Sequence, residues 1–300
     1  MATERRYLEE GNLPAPEQLL ARSARENFPV ASRLLPRRQR DDLRAIYGFA
    51  RLVDFAGDEL AGDRLAALDW IEAELDRSLA NKPRQPAEPS YPLIDRAAST
   101  VRARGLADGL LRRLIQANRQ DQQVHQYPTY ETLLAYCELS ANPVGRLVLG
   151  IFGASTPERE RWSDRVCTGL QLAEHWQDVA EDAAAGRIYL PLEDLRRFGV
   201  QPGELTSGVS SEAIRGLMAF EVARARGLLD AGTPLISSMH GRARLAVAGF
   251  VAGGQAALDG IARTGFDVLA APARPRPHQL ARRMIPALTQ RTRRTQRDTP

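Results

Sequence analysis

The chain has 300 residues, of which 43% are hydrophobic, 26% charged and 6% aromatic; that is enough to bury a sizeable core and excludes a wholly disordered protein. Much of the net charge of +4 comes from Arg291, Arg293, Arg294 and Arg297 near the C-terminus, so the body is close to neutral and gives little support for a nucleic-acid partner. Cys137 and Cys167 form neither a disulfide framework nor a CxxC pair, and the N-terminus has no apolar leader, which predicts a reducing, cytoplasmic setting.

Proline and glycine punctuate the sequence into helical blocks with no alternation suited to a sheet, so the predicted fold class is all-α, in one domain over 1–300. A polar lead covers 1–15. Pro36 suits a helix start, and the pattern then runs to about Leu60. A second helix is expected over 63–79. The segment NKPRQPAEPSYP, from Asn81 to Pro92, reads as a surface connection. Further helices are expected over 92–104, 106–125, 129–153 with a break at Asn142-Pro143, 157–185, 210–233 and 240–265. The most apolar stretch, Leu245 to Ala262, is interrupted by Gly249, Gly253, Gly254, Gln255 and Asp259, which argues against a membrane span. The AGFVAGGQ sequence in it follows no predicted strand, so it is not a dinucleotide fingerprint. The last twenty residues read as a short helix and a basic tail, 289–300.

At 100° per residue, Leu43, Ile46, Tyr47, Ala50 and Gly57 share one side of the helix over 37–60, and Asp54 and Asp58 extend that core-facing stripe. Bare carboxylates there would be costly, so they call for a partner charge or a metal. Mg²⁺ suits such oxygen ligands, because it keeps several waters and bridges one or two carboxylates to a substrate phosphate. Arg51, one turn before Asp54, could pair with it or bind an anion. A plain ion pair near a helix end explains the spacing equally well.

Glu174, Asp178 and Asp182 recur at four-residue steps in LQLAEHWQDVAEDAAAGRIYLP, with Gln171 near the same face. A solvated face accounts for that spacing by itself, since Val166, Ala173 and Ala180 mark the apolar side. The presence of two such clusters, the second followed by GRIYLP, favours facing acidic helices. Metal ions held between them would grip a diphosphate leaving group and act as Lewis acids on the departing oxygen.

The segments ENFPVASRLLP, YGFARLVDFAGDE and QLAEHWQDVAEDAAAGRIYLP resemble the squalene/phytoene synthases, over residues 20 to about 270, and their wording is most like the bacterial hydroxysqualene synthase branch. The resemblance implies the isoprenoid synthase helical bundle with a central apolar cavity. It implies Mg²⁺ as cofactor, held with diphosphate by Asp54, Asp58, Asp178 and Asp182, with Glu174 retaining an oxygen ligand where many relatives carry Asn. Arg51 and Arg187 become phosphate contacts, and Tyr47, Tyr136, Gln171 and Tyr189 pocket residues. Phe55 stands where many relatives carry a second Asp.

The activity implied is conversion of presqualene diphosphate and water to hydroxysqualene and diphosphate, in squalene and hopanoid biosynthesis. Alternatives are head-to-head condensation of two prenyl diphosphates to presqualene diphosphate, squalene or phytoene, and a non-catalytic scaffold. The expected partner is a prenyl diphosphate; neighbouring pathway enzymes and peripheral contact of the basic tail with a membrane surface are compatible with lipid substrates. Cys137, beside the Asn-Pro break with no histidine near it in sequence, reads as a packed thiol rather than a nucleophile, and His175 reads as packing beside the acidic face.

Overall fold

The computed structural model describes residues 13–21, 35–82 and 91–270. Most of the polar lead, most of ENFPVASRLLP, the centre of the proline-rich connection and the basic tail lie outside them. Among the described residues the chain is helical, with no strand and one isolated bridge between Gln126 and Ile188.

A short α1 (Pro16–Ala21) precedes α2 (Arg37–Asp54), which passes into a π-turn over Phe55–Glu59. Next come α3 (Arg64–Leu79), α4 (Pro92–Arg104), α5 (Gly109–Asp121), α6 (Tyr130–Ser140), α7 (Asn142–Ile151), α8 (Pro157–Gln177) and α9 (Val179–Ala184). The C-terminal part comprises α10 (Leu192–Arg197), a 3₁₀ turn at Pro202–Thr206, α11 (Glu212–Gly232), α12 (Pro234–Ser238) and α13 (Gly241–Arg263). Every long helix falls where the sequence pattern puts it, and the break between α6 and α7 falls at Ala141, just before Asn142-Pro143, because Pro143 supplies no N–H to the turn before it. The short elements α1, α10, α12 and the 3₁₀ turn were not expected.

Side chains collect into two cores. Phe49, Leu52, Leu68, Ile71, Leu93 and Ile115, with their neighbours, fill the space among α2 to α5. Leu133, Leu172, Trp176, Leu217, Leu229 and Val251 are among those filling the space around α6, α8, α11 and α13. Helix α13 has the length and composition to cross a membrane, yet 67% of its apolar window is buried, as in a core helix.

One expectation is corrected here. The helix of 37–60 is not α-helical throughout: the Leu60 N–H donates to the Phe55 carbonyl at 2.9 Å, five residues back. The wider turn brings Gly57 so close to α5 that a Cβ would lie 2.2 Å from Asn118 Oδ1. In return, Gln122 Nε2 donates to the Gly57 carbonyl at 2.9 Å.

Candidate active site

A cavity of about 410 Å³ opens between the two cores. Its lining follows a gradient written along each helix. Leu43 and Ile46 give way to Tyr47, Arg51 and Asp54 along α2, and the π-turn adds Asp58. Leu114 gives way to Asn118 and Asp121 along α5, and Val166 and Leu170 to Gln171, Glu174 and Asp178 along α8, with Asp182 on α9. Helices α6 and α7 run the other way, from Tyr136 to Val144 and Val148. The result is a charged rim over an apolar interior. Arg187 and Tyr189 complete it, so all eleven residues singled out in the sequence line this one cavity.

Local chemistry explains how the last two arrive there. Gly186 has φ +82°, and the Arg187 and Gly186 N–H groups donate to the Asp182 and Ala183 carbonyls at 2.8 and 3.0 Å, which is the Schellman closure that ends a helix. Ile188 N–H then donates to the His125 carbonyl at 2.8 Å and Leu192 N–H to the Tyr127 carbonyl at 2.9 Å. These bonds pin Arg187 and Tyr189 beside the end of α5.

The rim carboxylates are not sealed away. The side chains of Asp54 and Asp58 keep 41% and 40% of their exposure, so the predicted cost of burying bare charges does not arise. Each meets an arginine: Arg51 Nη1 is 3.3 Å from Asp54 Oδ2, and Arg187 Nη1 is 2.5 Å from Asp58 Oδ1. Asn118 Nδ2 also lies 3.4 Å from Asp54 Oδ1. The second cluster is corrected in another way. The helix is interrupted at Asp178, with φ −106° and ψ 14°, so Glu174, Asp178 and Asp182 do not share one unbroken face, though they border the same cavity.

Among the described residues, no group of three or more acidic, histidine or cysteine side chains is gathered closely enough to hold a metal ion alone. The donors are nevertheless all carboxylate oxygens set around a solvent-reachable rim. That set fits Mg²⁺, which takes one or two carboxylates and completes its shell with water and substrate phosphate.

Below the rim stands a wall of rings. Tyr127, Tyr136 and Tyr189 have centroids 5.5–5.7 Å apart, and His175 stacks on Tyr189 at 3.7 Å and 15°. Their hub is Asp121, which accepts from the Tyr136 hydroxyl at 2.7 Å and the Tyr189 hydroxyl at 3.3 Å. Burial pushes the Asp121 carboxyl up to about 7, with the Tyr136 hydrogen bond pulling the other way and Asp58 adding to the rise. The sequence reading missed Asp121 and Asn118, although polar residues continuing the apolar stripe Leu111, Leu114, Ile115 are a visible signal. His175 is buried as expected, but it also borders the cavity and contacts Gln171. Cys137 is fully buried, and burial pushes its thiol up to about 12, as befits packing.

A further acidic cluster lies outside the cavity. Glu221 on α11 is wholly buried and Asp194 on α10 nearly so. Arg224 Nη1 reaches Asp194 Oδ2 at 2.6 Å and Glu221 Oε1 at 3.3 Å, while its guanidinium lies over the rings of Tyr130 and Phe220 at 4.2 and 4.3 Å. Burial pushes Glu221 up to about 8; Arg224 opposes this and Asp194 adds to it.

A helical bundle enclosing an apolar cavity under a rim of carboxylates and arginines is the isoprenoid synthase fold. Residues 21–283 match the squalene/phytoene synthase family model, and the chain belongs to that family of head-to-head prenyltransferases, which bind prenyl diphosphates. It is 34% identical to hydroxysqualene synthase of Rhodopseudomonas palustris over 71% of each chain. It is 30% identical to phytoene synthase of Arthrospira platensis over 84% of each. Among solved structures it resembles squalene synthase HpnC from Alicyclobacillus acidocaldarius, with 42% identity, a TM-score of 0.75 and coverage of 83% of this chain and 92% of that one.

Proposed function

We propose that the chain is an Mg²⁺-dependent hydroxysqualene synthase, converting presqualene diphosphate and water to hydroxysqualene and diphosphate. The observation that carries this reading is the polarity of the cavity, with anion-handling groups at one end and space for lipid chains at the other. The likeness to proteins named hydroxysqualene synthase supports the choice of reaction.

In this reading Asp54, Asp58, Glu174, Asp178 and Asp182 would hold Mg²⁺ and, through it, the diphosphate. The metal supplies positive charge that stabilises the departing oxygen. Arg51 and Arg187 turn from the carboxylates they now meet to the phosphate oxygens, for which the planar guanidinium is well shaped. Tyr136 and Tyr189 line the cavity where the carbocation would form, and the attraction of an aromatic ring for a cation strengthens where water is excluded; Asp121 holds both phenols so that the rings stay oriented. Tyr47 and Gln171 border the space between rim and interior. The apolar interior delays quenching, so the product depends on what reaches the cation first.

The test is incubation of the purified protein with Mg²⁺, without nicotinamide, and with presqualene, farnesyl or geranylgeranyl diphosphate in turn, followed by mass spectrometry of the lipids. Hydroxysqualene from presqualene diphosphate is the expected product. A condensed diphosphate, squalene or phytoene would assign the chain to head-to-head condensation, and no turnover of any of the three would favour a scaffold.

A further inference from the structure

His175 does more than fill space. Its side chain is 8% exposed, and three contacts fix it from three sides. One ring face stacks on Tyr189. Its Nε2 is 3.1 Å from Gln171 Nε2, one helical turn back. Its Nδ1 lies 3.9 Å from Asp182 Oδ2 across the break between α8 and α9.

These contacts set the hydrogen-bond roles. An amide nitrogen only donates, so His175 Nε2 accepts from it, and the other ring nitrogen, Nδ1, faces the Asp182 carboxylate at 3.9 Å. With one N–H of the Gln171 amide committed to His175, Gln171 keeps its carbonyl oxygen and a second N–H. Gln171 lines the cavity beside Leu170 and Glu174, and its carbonyl oxygen is the side-chain acceptor it can offer there.

We propose that His175 is a positioning residue that fixes the Gln171 amide so that its carbonyl oxygen holds the water captured by the carbocation. This rests on the hydroxysqualene synthase reading and adds to it the residue pair that decides the product. The carbon–oxygen bond to diphosphate breaks with its electron pair leaving on the diphosphate. After rearrangement, a lone pair of the held water forms the new carbon–oxygen bond, and the proton released ends on the diphosphate. The balance is one presqualene diphosphate and one water giving one alcohol and one protonated diphosphate, with no oxidant or reductant. A carbonyl oxygen accepting one water O–H leaves both lone pairs of the water free for the cation, whereas an amide N–H donated to the water would occupy one of them.

The test uses His175→Phe, which keeps a ring to stack on Tyr189 but loses the acceptor, with Gln171→Leu and the double variant. Each is given presqualene diphosphate and Mg²⁺, and hydroxysqualene is measured per diphosphate released. The expected result is a share of alcohol lower by about fivefold in each single variant, the factor one net hydrogen bond is worth. Hydrocarbons formed by proton loss should replace it, and the double variant should be no worse than the singles, because the pair acts as one unit. His175→Asn, which restores a side-chain acceptor, should recover part of the share. An unchanged share, additive losses, or loss of diphosphate release together with the alcohol would overturn the proposal. A parent protein that condenses farnesyl diphosphate and makes no hydroxysqualene overturns the underlying reading instead, and this inference with it.

Discussion

The cavity rim and the Glu221–Asp194–Arg224 cluster are built from the same residue types and put to opposite uses. At the rim, Asp54 and Asp58 keep about two fifths of their side-chain exposure, 41% and 40%, and meet arginines that can move to another anion. In the cluster, the side chains of Glu221 and Asp194 are 0% and 4% exposed, and Arg224 is stacked over two aromatic rings. Access, not composition, separates a site able to exchange ligands from an ionic knot that ties α10 to α11.

Variants at the two places should therefore fail differently. Asp178→Asn is expected to lower turnover of presqualene diphosphate by about 100-fold or more, since even outer partners of a metal cost 10–100-fold, while its thermal midpoint stays near that of the parent. A matched fall in the midpoint would mean that the rim is also structural. Asp194→Ala should do the reverse. It leaves a partly buried guanidinium without its best partner, so unfolding free energy should fall by about 2 kcal/mol, below the figure for a fully buried pair because water reaches Arg224. Denaturant titration measures this, and Mg²⁺-dependent diphosphate binding by the folded variant should persist.

Gly57→Ala probes the backbone under the rim. Its Cβ would meet Asn118 Oδ1 at 2.2 Å, so the Asn118 side chain must be displaced from its place beside Asp54, at about 1–3 kcal/mol of overpacking. Activity should fall at least as far as Asn118→Ala makes it fall, because both variants take the Asn118 amide from Asp54. The smallest effect is expected from Glu221→Gln, and only as a function of pH. The folded carboxyl has its pKa raised to about 8 from an ordinary 4.5, so its contribution to stability is fully present below the ordinary value and is lost as pH rises through about 8. Between pH 5 and pH 9 the parent's melting temperature should therefore drop further than the variant's; parallel curves would place the proton elsewhere.

The same contrast marks what the sequence could reveal. Helix positions were legible because prolines, glycines and a sustained 3.6-residue period mark them, and the acidic residues at four-residue steps stood out for the same reason. The π-turn was not legible. Periodicity does not distinguish a four-residue from a five-residue hydrogen bond over one turn, and it does not show that the stripe carrying Asp54 and Asp58 faces a solvent-reachable cavity, so both looked buried when they are half open. Helix α10 is too short to show a repeat, and Asp194 on it meets Glu221 only through tertiary packing, so the buried cluster left no local trace. Asp121 could have been found, since it continues an apolar stripe. The roles of Gln171 and His175 depend on which amide end faces the ring, which no spacing encodes.

The most direct test of the central claim is calorimetric titration with inorganic diphosphate, with and without Mg²⁺, of the parent protein, Asp178→Asn and Glu221→Gln. The account predicts binding that requires Mg²⁺, is lost in Asp178→Asn and is unchanged in Glu221→Gln. Diphosphate binding that is indifferent to Mg²⁺, or that survives Asp178→Asn intact, would contradict the assignment of the rim as the diphosphate site.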